Sequence, residues 1–231
     1  MENPIARMFN QISYKYDLLN DLLSFCIHRT WLKKAVNSIP IQDNLKILDL
    51  ATGTGNFVFE FLKANQNLDI TGIDIAENML DIARKKNFKY ENKAKFLFGD
   101  ATAIPFADNN FDLVTISYGI RNVANVEKCL KEIHRVLKPN GYFLILEFGR
   151  PQSWFLPIFR VYQNLFIRFL GGFISKNFDA YDYLVRTVNK FPSGENFVEL
   201  VNRTNLFYDV TFKPLTFGIA YLYTGKAKKQ N

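Results

Sequence analysis

Between residues 46 and 148, short apolar runs alternate with segments of helical spacing. KILDL (46–50), DITGID (69–74), AKFLFG (94–99), FDLVTIS (111–117) and YFLILEF (142–148) read as strands. Helical segments fall between them, near 55–65, 76–87 and 125–137. In the last of these, Val126, Cys129, Leu130, Ile133, Val136 and Leu137 recur on steps that place them on one face. It stops at the turn signal Lys138-Pro139-Asn140-Gly141. Strand–helix alternation predicts parallel βαβ units in a doubly wound α/β sheet. Such sheets bind ligands beyond the carboxyl ends of their strands, which here means 51–56, 74–79, 99–101 and 117–122. The first 45 residues read as helices lying against this core, and 151–204 as further helices. TFKPLTFGIAYLYTGK (211–226) reads as two strands around a turn, an antiparallel hairpin on the sheet edge.

A length of 231 residues fits one domain, and 48% apolar with 22% charged residues excludes global disorder. Two cysteines (Cys26 and Cys129) and two histidines (His28 and His134), with no CxxC, argue against a disulfide scaffold and against a metal centre. The opening MENPIARMFN has no apolar h-region and no run of 18 apolar residues occurs, so neither a signal peptide nor a transmembrane span is expected. A reducing cytoplasmic setting follows, bacterial or plastid. The net charge of +7 is uneven: residues 1–150 carry 19 basic and 17 acidic residues, residues 151–231 carry 10 and five. A basic surplus admits a nucleic acid or an anionic membrane surface as partner.

Asp49-Leu50-Ala51-Thr52-Gly53-Thr54-Gly55-Asn56 joins the first strand to a helix, and its small residues allow backbone to approach a ligand. Asp74 ends the next strand 19 residues after Gly55, where a carboxylate can accept both ribose hydroxyls. That pair serves a dinucleotide and S-adenosylmethionine alike. Two details favour the sulfonium cofactor. Val58 stands where the dinucleotide fingerprint wants its third glycine. Asp49 opens the loop, where a pyrophosphate would be repelled and a cationic cofactor tolerated. After the third strand, Asp100 is placed to accept the adenine amino group and the Ala101 amide to meet a ring nitrogen.

The chain resembles the ubiquinone/menaquinone biosynthesis C-methyltransferase family over nearly its whole length. The matching segments are FNQISYKYDLLNDLLSFCIHRTW (9–31), LDLATGTGN (48–56), GIDIAENMLDIAR (72–84), GDATAIPFADNNFDLVTISYGIRNV (99–123), RVLKPNGYFLILEF (135–148), YLVRTVNKFPSG (183–194) and LTFGIAYLYTGK (215–226). The glycine loop and Asp74 are common to many methyltransferases. YDLLNDLLS with HRTW, the GIRNV exit and LTFGIA are more particular. The resemblance implies a class I S-adenosylmethionine-dependent methyltransferase with a seven-stranded, mostly parallel sheet, an antiparallel last strand and helices on both faces. It implies a single methyltransferase domain over 1–231, with a helical lid (1–45), a cofactor-binding half (46–150), a helical insertion facing substrate or membrane (151–207) and terminal hairpin strands (208–231). Its substrate would be a polyprenylated quinol lacking one ring methyl. Carried over residue by residue, Thr54, Asp74, Asp100, Ala101 and Ser117 contact the cofactor, and Asp49, Gly53 and Gly55 shape the pocket. The chain departs from the family at Asn56 (usually Asp), Asn140 in the turn, Asn205-Leu206-Phe207, and Tyr118 and Ile120 in place of the commoner Phe and Leu.

Carbon methylation needs a carbon nucleophile, which a reduced quinol supplies once a hydroxyl proton is lost. Arg121 and Asn122, leaving the fourth strand, read as stabilising the phenolate or orienting a water, against a plain loop arginine. Tyr16, Asp17 and His28 lie on the expected lid. His28 has the right intrinsic acidity for a base, although a lone histidine there is often a packing or capping residue. His134 reads as structural. In PQSWFLPIFRVYQNLFIRFLGGFISK (151–176), six aromatics at 155, 159, 162, 166, 169 and 173 share one helical face, with Arg160, Arg168, Lys176 and no acid. That face either docks on the core, lines a prenyl-tail tunnel or meets a bilayer. The Gly171-Gly172 pair would let this segment bend.

The rival classes are a nucleic-acid methyltransferase, a nicotinamide dehydrogenase and a noncatalytic lipid-binding relative. The first lacks the Asn/Asp-Pro-Pro-aromatic run after the fourth strand, where SYGIRN stands, so no nucleic-acid partner is expected. Quinone-pathway enzymes and a second copy of the chain remain open as partners. The short lead before FNQIS inclines the reading toward demethylmenaquinol, with the methoxy-benzoquinol precursor of ubiquinone or a phytylated naphthoquinol as alternatives.

Overall fold

The computed structural model describes residues 3–163 and 178–229. Two helices come first, α1 (Pro4–Leu23) and α2 (Ile27–Val36). Asn3 starts α1 by accepting the Ile5 amide on its side chain at 2.9 Å, with Pro4 at the first helical position, where its missing N–H costs nothing. The alternating core follows as β1 (Lys46–Leu50), α3 (Asn56–Ala64), β2 (Asp69–Asp74), α4 (Glu77–Asn87), β3 (Ala94–Phe98), β4 (Phe111–Ser117), α5 (Val126–Val136) and β5 (Leu137–Phe148). Then come α6 (Leu156–Tyr162), α7 (Phe178–Lys190), α8 (Glu195–Arg203), β6 (Phe207–Leu215) and β7 (Ala220–Ala227).

The seven strands form one sheet in the order β3-β2-β1-β4-β5-β7-β6. Strands β3 to β5 run parallel, and β7 lies antiparallel between β5 and β6. This is the expected mostly parallel sheet with its antiparallel edge hairpin. Strand alternation sorts the core into two layers. Ile47, Leu144 and Leu146 pack with Phe57 and Phe61 of α3 and Trp31 of α2 on one face. Leu48, Leu50, Phe143 and Ile145 pack with Cys129, Leu130 and Ile133 of α5 and Phe197 of α8 on the other.

Two boundaries differ from the sequence reading, and one is the start of β6, at Phe207 instead of 211. The Lys138–Gly141 turn bulges within β5 instead of preceding it: Phe111 pairs with Leu137, and the next pair is Leu113 with Tyr142. Asn140 takes the left-handed conformation there, φ 65°. His134 is structural, as expected: its Nε2 meets the Lys228 carbonyl at 3.1 Å and its ring packs edge-on to Phe207. Phe166, Arg168, Phe169, Gly171, Gly172, Phe173 and Lys176 lie outside the described residues.

Candidate active site

The β1–α3 loop carries three left-handed residues, Ala51 (φ 48°), Gly53 (φ 54°) and Gly55 (φ 79°). Gly55 admits no side chain, since a Cβ would sit 2.8 Å from the Phe59 ring. Below the loop, the buried Asp49 carboxylate accepts the Thr52 hydroxyl at 2.7 Å and the Thr115 hydroxyl at 2.5 Å. Burial pushes its pKa up to about 7. Asp49 therefore shapes the loop from beneath. Asp74, at the end of β2, accepts the Gly53 amide on Oδ2 and the Ala76 amide on Oδ1, both at 2.8 Å.

Of these residues, Ala51, Gly53 and Asp74 border a narrow cleft of about 90 Å³ at the carboxyl ends of the strands. It is lined by Gly53, Asp74, Asp100, Ala101, Ser117 and Asn122 among others, and roofed by Asn3, Ile5, Phe9 and Tyr16 of the N-terminal segment. Among the described residues no lysine or arginine borders it, and two carboxylates do. A pyrophosphate would be repelled there, whereas a cofactor with a sulfonium and an ammonium fits. Asp100 is exposed, and its Oδ1 accepts the Thr102 amide at 2.7 Å.

Thr54 sits differently from the expected cofactor contact. It is buried, and its hydroxyl donates to Asp17 Oδ1 at 2.6 Å. The same oxygen accepts the Asn56 amide at 2.9 Å, and Lys86 pairs with the other at 2.5 Å. Asp17 is thus committed to tying α1 onto the glycine loop, and Lys86 with its neighbours holds it below the usual carboxylate range although burial opposes them. Asn56 suits this network better than the family's usual aspartate. It donates to Asp17 and accepts from Lys86 at 2.9 Å, where a carboxylate would face Asp17 with like charge.

A second cavity, about 760 Å³, adjoins the cleft. Both are bordered by Phe9, Tyr16, Ala51, Gly53, Ser117 and Tyr118. The larger one is mostly apolar, and Phe155, Phe159 and Tyr162 of the aromatic stripe line it. Its volume falls in the ~300–1,000 Å³ range of ligand cavities. His28 and Arg121 also line it. The described part of the stripe therefore faces a cavity instead of docking flat on the sheet.

Arg121 is no free loop cation. Its side chain is 6% exposed and pairs at 2.5 Å with Glu147, which is fully buried. The guanidinium also donates to the Tyr118 carbonyl at 2.6 Å and lies over the Phe148 ring. Glu147 further accepts the backbone amides of Arg121 and Phe148, so it pins the turn after β4 to the end of β5. Burial pushes the Glu147 pKa up, against Arg121. Glu147 was missed in the sequence. Its signal was a lone acid in the apolar run FLILEF, which demands a buried partner. Asn122 accepts the Tyr183 hydroxyl from α7 at 3.1 Å, a contact no local pattern announces.

His28 is buried on α2. The Ser24 hydroxyl lies 2.6 Å from both the Asn20 carbonyl and His28 Nδ1. A carbonyl only accepts, so Ser24 spends its one proton there and His28 Nδ1 must carry a hydrogen. The Nε2 lone pair is left, 3.7 Å from Asp21. Burial lowers the His28 pKa below its ordinary value, against Asp21, so the ring is neutral at pH 7. Tyr16, on the wall shared by both cavities, is pushed up by burial and stays protonated.

The ubiE/COQ5 methyltransferase family model matches residues 1–227. The chain belongs to this family. It is 41% identical to the demethylmenaquinone methyltransferase of Thermus thermophilus over 94% of this chain and 99% of that one. It is 35% identical to the mitochondrial 2-methoxy-6-polyprenyl-1,4-benzoquinol methylase of Caenorhabditis elegans, over 97% and 80%. Its fold matches an S-adenosylmethionine-dependent methyltransferase from Thermotoga maritima at a TM-score of 0.68, with 20% identity over 96% and 99%. The two-layered sheet with one antiparallel strand is thus the class I methyltransferase fold, with the cleft at the carboxyl ends of its strands.

Proposed function

We propose that this family member methylates a ring carbon of a polyprenylated quinol, using S-adenosylmethionine, with demethylmenaquinol as the preferred substrate. One observation carries the reading: a large apolar cavity lies beside the acidic cleft, and Phe9, Tyr16, Ala51, Gly53, Ser117 and Tyr118 border both. A cofactor cleft alone would suit any methyltransferase. The apolar chamber beside it suits an oily tail and a flat ring.

Bound in the cleft, S-adenosylmethionine supplies an electrophilic methyl. Asp74 would accept the ribose hydroxyls, Asp100 and Ala101 would meet the adenine, and Ser117 would border the methyl. Neutral His28 accepts the quinol hydroxyl proton on Nε2, and the Asp21 carboxylate nearby favours the imidazolium that forms. The electron pair moves onto the ortho carbon, which bonds the methyl as the carbon–sulfur bond breaks. Loss of the ring C–H proton restores the aromatic ring as a phenolate, and the proton held on His28 returns to its oxygen, so one proton is released per turnover. Arg121 borders the chamber and would offer an outer guanidinium nitrogen to the phenolate oxygen, since its Nε is sealed from the cavity. Its charge is already balanced by Glu147, so it contributes a directed hydrogen bond more than a net positive field. Asn122, held by Tyr183, orients the hydroxyl or a water. Helices α1 and α2 act as a lid that excludes water from the ionised nucleophile.

Exposed apolar residues among the cavity lining support a membrane-facing rim as part of this proposal. Phe25 and Ile158 line the cavity and are 71% and 60% exposed, and Ile27 stands beside them. This rim would rest on the membrane that stores the quinol, making the protein peripheral at the inner face. No described helix is long and apolar enough to cross a membrane. The test of substrate is competition: demethylmenaquinol and the methoxy-benzoquinol precursor, both reduced, are offered together with labelled S-adenosylmethionine. Label mainly in menaquinol supports the proposal, and label mainly in the benzoquinol product moves the enzyme to ubiquinone synthesis.

A further inference from the structure

One hydrogen bond joins the two cavities through residues that border one each. Asn122 lies in the turn after β4 and borders the cofactor cleft. Tyr183 lies on α7 and borders the apolar chamber. The Tyr183 hydroxyl donates to Asn122 Oδ1 at 3.1 Å. Burial raises the Tyr183 pKa above the ordinary phenol value, against Arg121 and Arg186, so the phenol keeps the proton that this bond needs.

The bond fixes which way the Asn122 amide points. Its oxygen is spent on α7, and Nδ2 is left as the end that can reach a ligand. Nδ2 has no hydrogen-bond partner among the described residues and, unlike Arg121 Nε, it is not sealed. A carboxamide held by its oxygen presents its nitrogen as a directed donor. An oxygen that gains negative charge needs such a donor. Turning the amide over would set an acceptor against it instead.

Helix α7 is placed where a prenyl tail would bear on it. Tyr183, Leu184, Val185 and Val188 line the chamber, and Val185 packs against Leu19 of α1. Among the described elements, α7 makes its broadest contact with the turn Ile120–Asn122. The same helix thus meets the chamber and the turn that carries Asn122. We propose that Tyr183 is a positioning residue that couples tail binding to methyl transfer: a tail filling the chamber packs α7 against this turn, and the Tyr183 hydroxyl then holds the Asn122 amide with Nδ2 toward the quinol oxygen. Binding energy from the unreactive tail is in this way used at the reacting ring. The inference rests on the quinol reading above.

The test uses two reduced substrates, demethylmenaquinol with a long prenyl tail and with a single isoprene unit, and reads kcat and KM separately. In the wild type we expect kcat to be about tenfold higher with the long tail, because a shortened substrate gives up kcat as well as affinity. Tyr183→Phe keeps the ring and removes the hydroxyl. It should lower the long-tail kcat about tenfold, to the level of the short tail, and leave the long-tail KM and the short-tail kcat within about twofold of wild type. In an Asn122→Ala background the same change should cost nothing further, because the hydroxyl acts through that amide. Equal kcat for the two tails in the wild type would overturn the coupling. So would an equal fall for both substrates in Y183F, a rise in KM with kcat unchanged, wild-type kinetics in Y183F, or a further loss on top of Asn122→Ala. No turnover of any reduced quinol by the wild type would instead overturn the functional reading, and this inference with it.

Discussion

Asp74 and Asp49 show how one residue type does two jobs 25 positions apart. Asp74 is held by two backbone amides and still borders the cleft, which leaves lone pairs for the proposed ribose contact. Asp74→Asn turns an N–H donor toward either the Gly53 or the Ala76 amide, and offers one acceptor fewer to a ribose. We expect the Kd for S-adenosylmethionine to rise tenfold or more by calorimetry, with about 1–3 kcal/mol lost in denaturant unfolding. An unchanged Kd would remove Asp74 from the cofactor site. Asp49 is sealed under the loop, and burial raises its pKa to about 7. A carboxyl with a raised folded pKa is most favourable to folding when protonated. Its contribution is therefore fully present below the unfolded value near 4 and is lost as pH rises toward 7. The stability of the wild type relative to Asp49→Asn should fall across that window by an amount on the order of 4 kcal/mol. A difference independent of pH would show that Asp49 is already ionised. The two aspartates and the glycines were legible in the sequence because strand-end position and spacing define them. The partners of Thr54, Arg121 and Asn122 were not. Asp17, Glu147 and Tyr183 reach them across 37, 26 and 61 residues, which no local pattern encodes.

At the scale of elements, β1, β2 and β4 coincide with their apolar runs, and α3, α4 and α5 start within a residue or two of their expected positions. These elements are buried on both sides or along one stripe, so periodicity records them directly. The placement of α1 depends instead on side chains. Asp17 joins it to Thr54, Asn56 and Lys86, and Asn10 joins it to α4 by accepting the Asn78 amide at 3.0 Å. Because α1 roofs the cofactor cleft, these bonds should set how long the cofactor stays. Asp17→Ala should speed amide hydrogen exchange over residues 4–23 and quicken S-adenosylmethionine release severalfold in stopped flow, while exchange in β1 and β4 stays slow. Unchanged exchange in α1 would show that packing alone holds the lid.

At the scale of the molecule, the sheet sets an acidic cleft beside an apolar chamber, and six residues border both. The apolar chamber was only half legible. The stripe at 155, 159 and 162 announced an apolar face, but whether that face met core, tail or bilayer depended on where α6 sits relative to α1 and α2. The account stands on a nucleophile that exists only when the ring is reduced. The most direct measurement is methyl transfer from labelled S-adenosylmethionine to demethylmenaquinone in detergent, with and without dithionite. The account predicts labelled menaquinol only under reduction. Equal labelling of the oxidised quinone, or no labelling of any reduced quinol by protein shown to bind the cofactor, would contradict it.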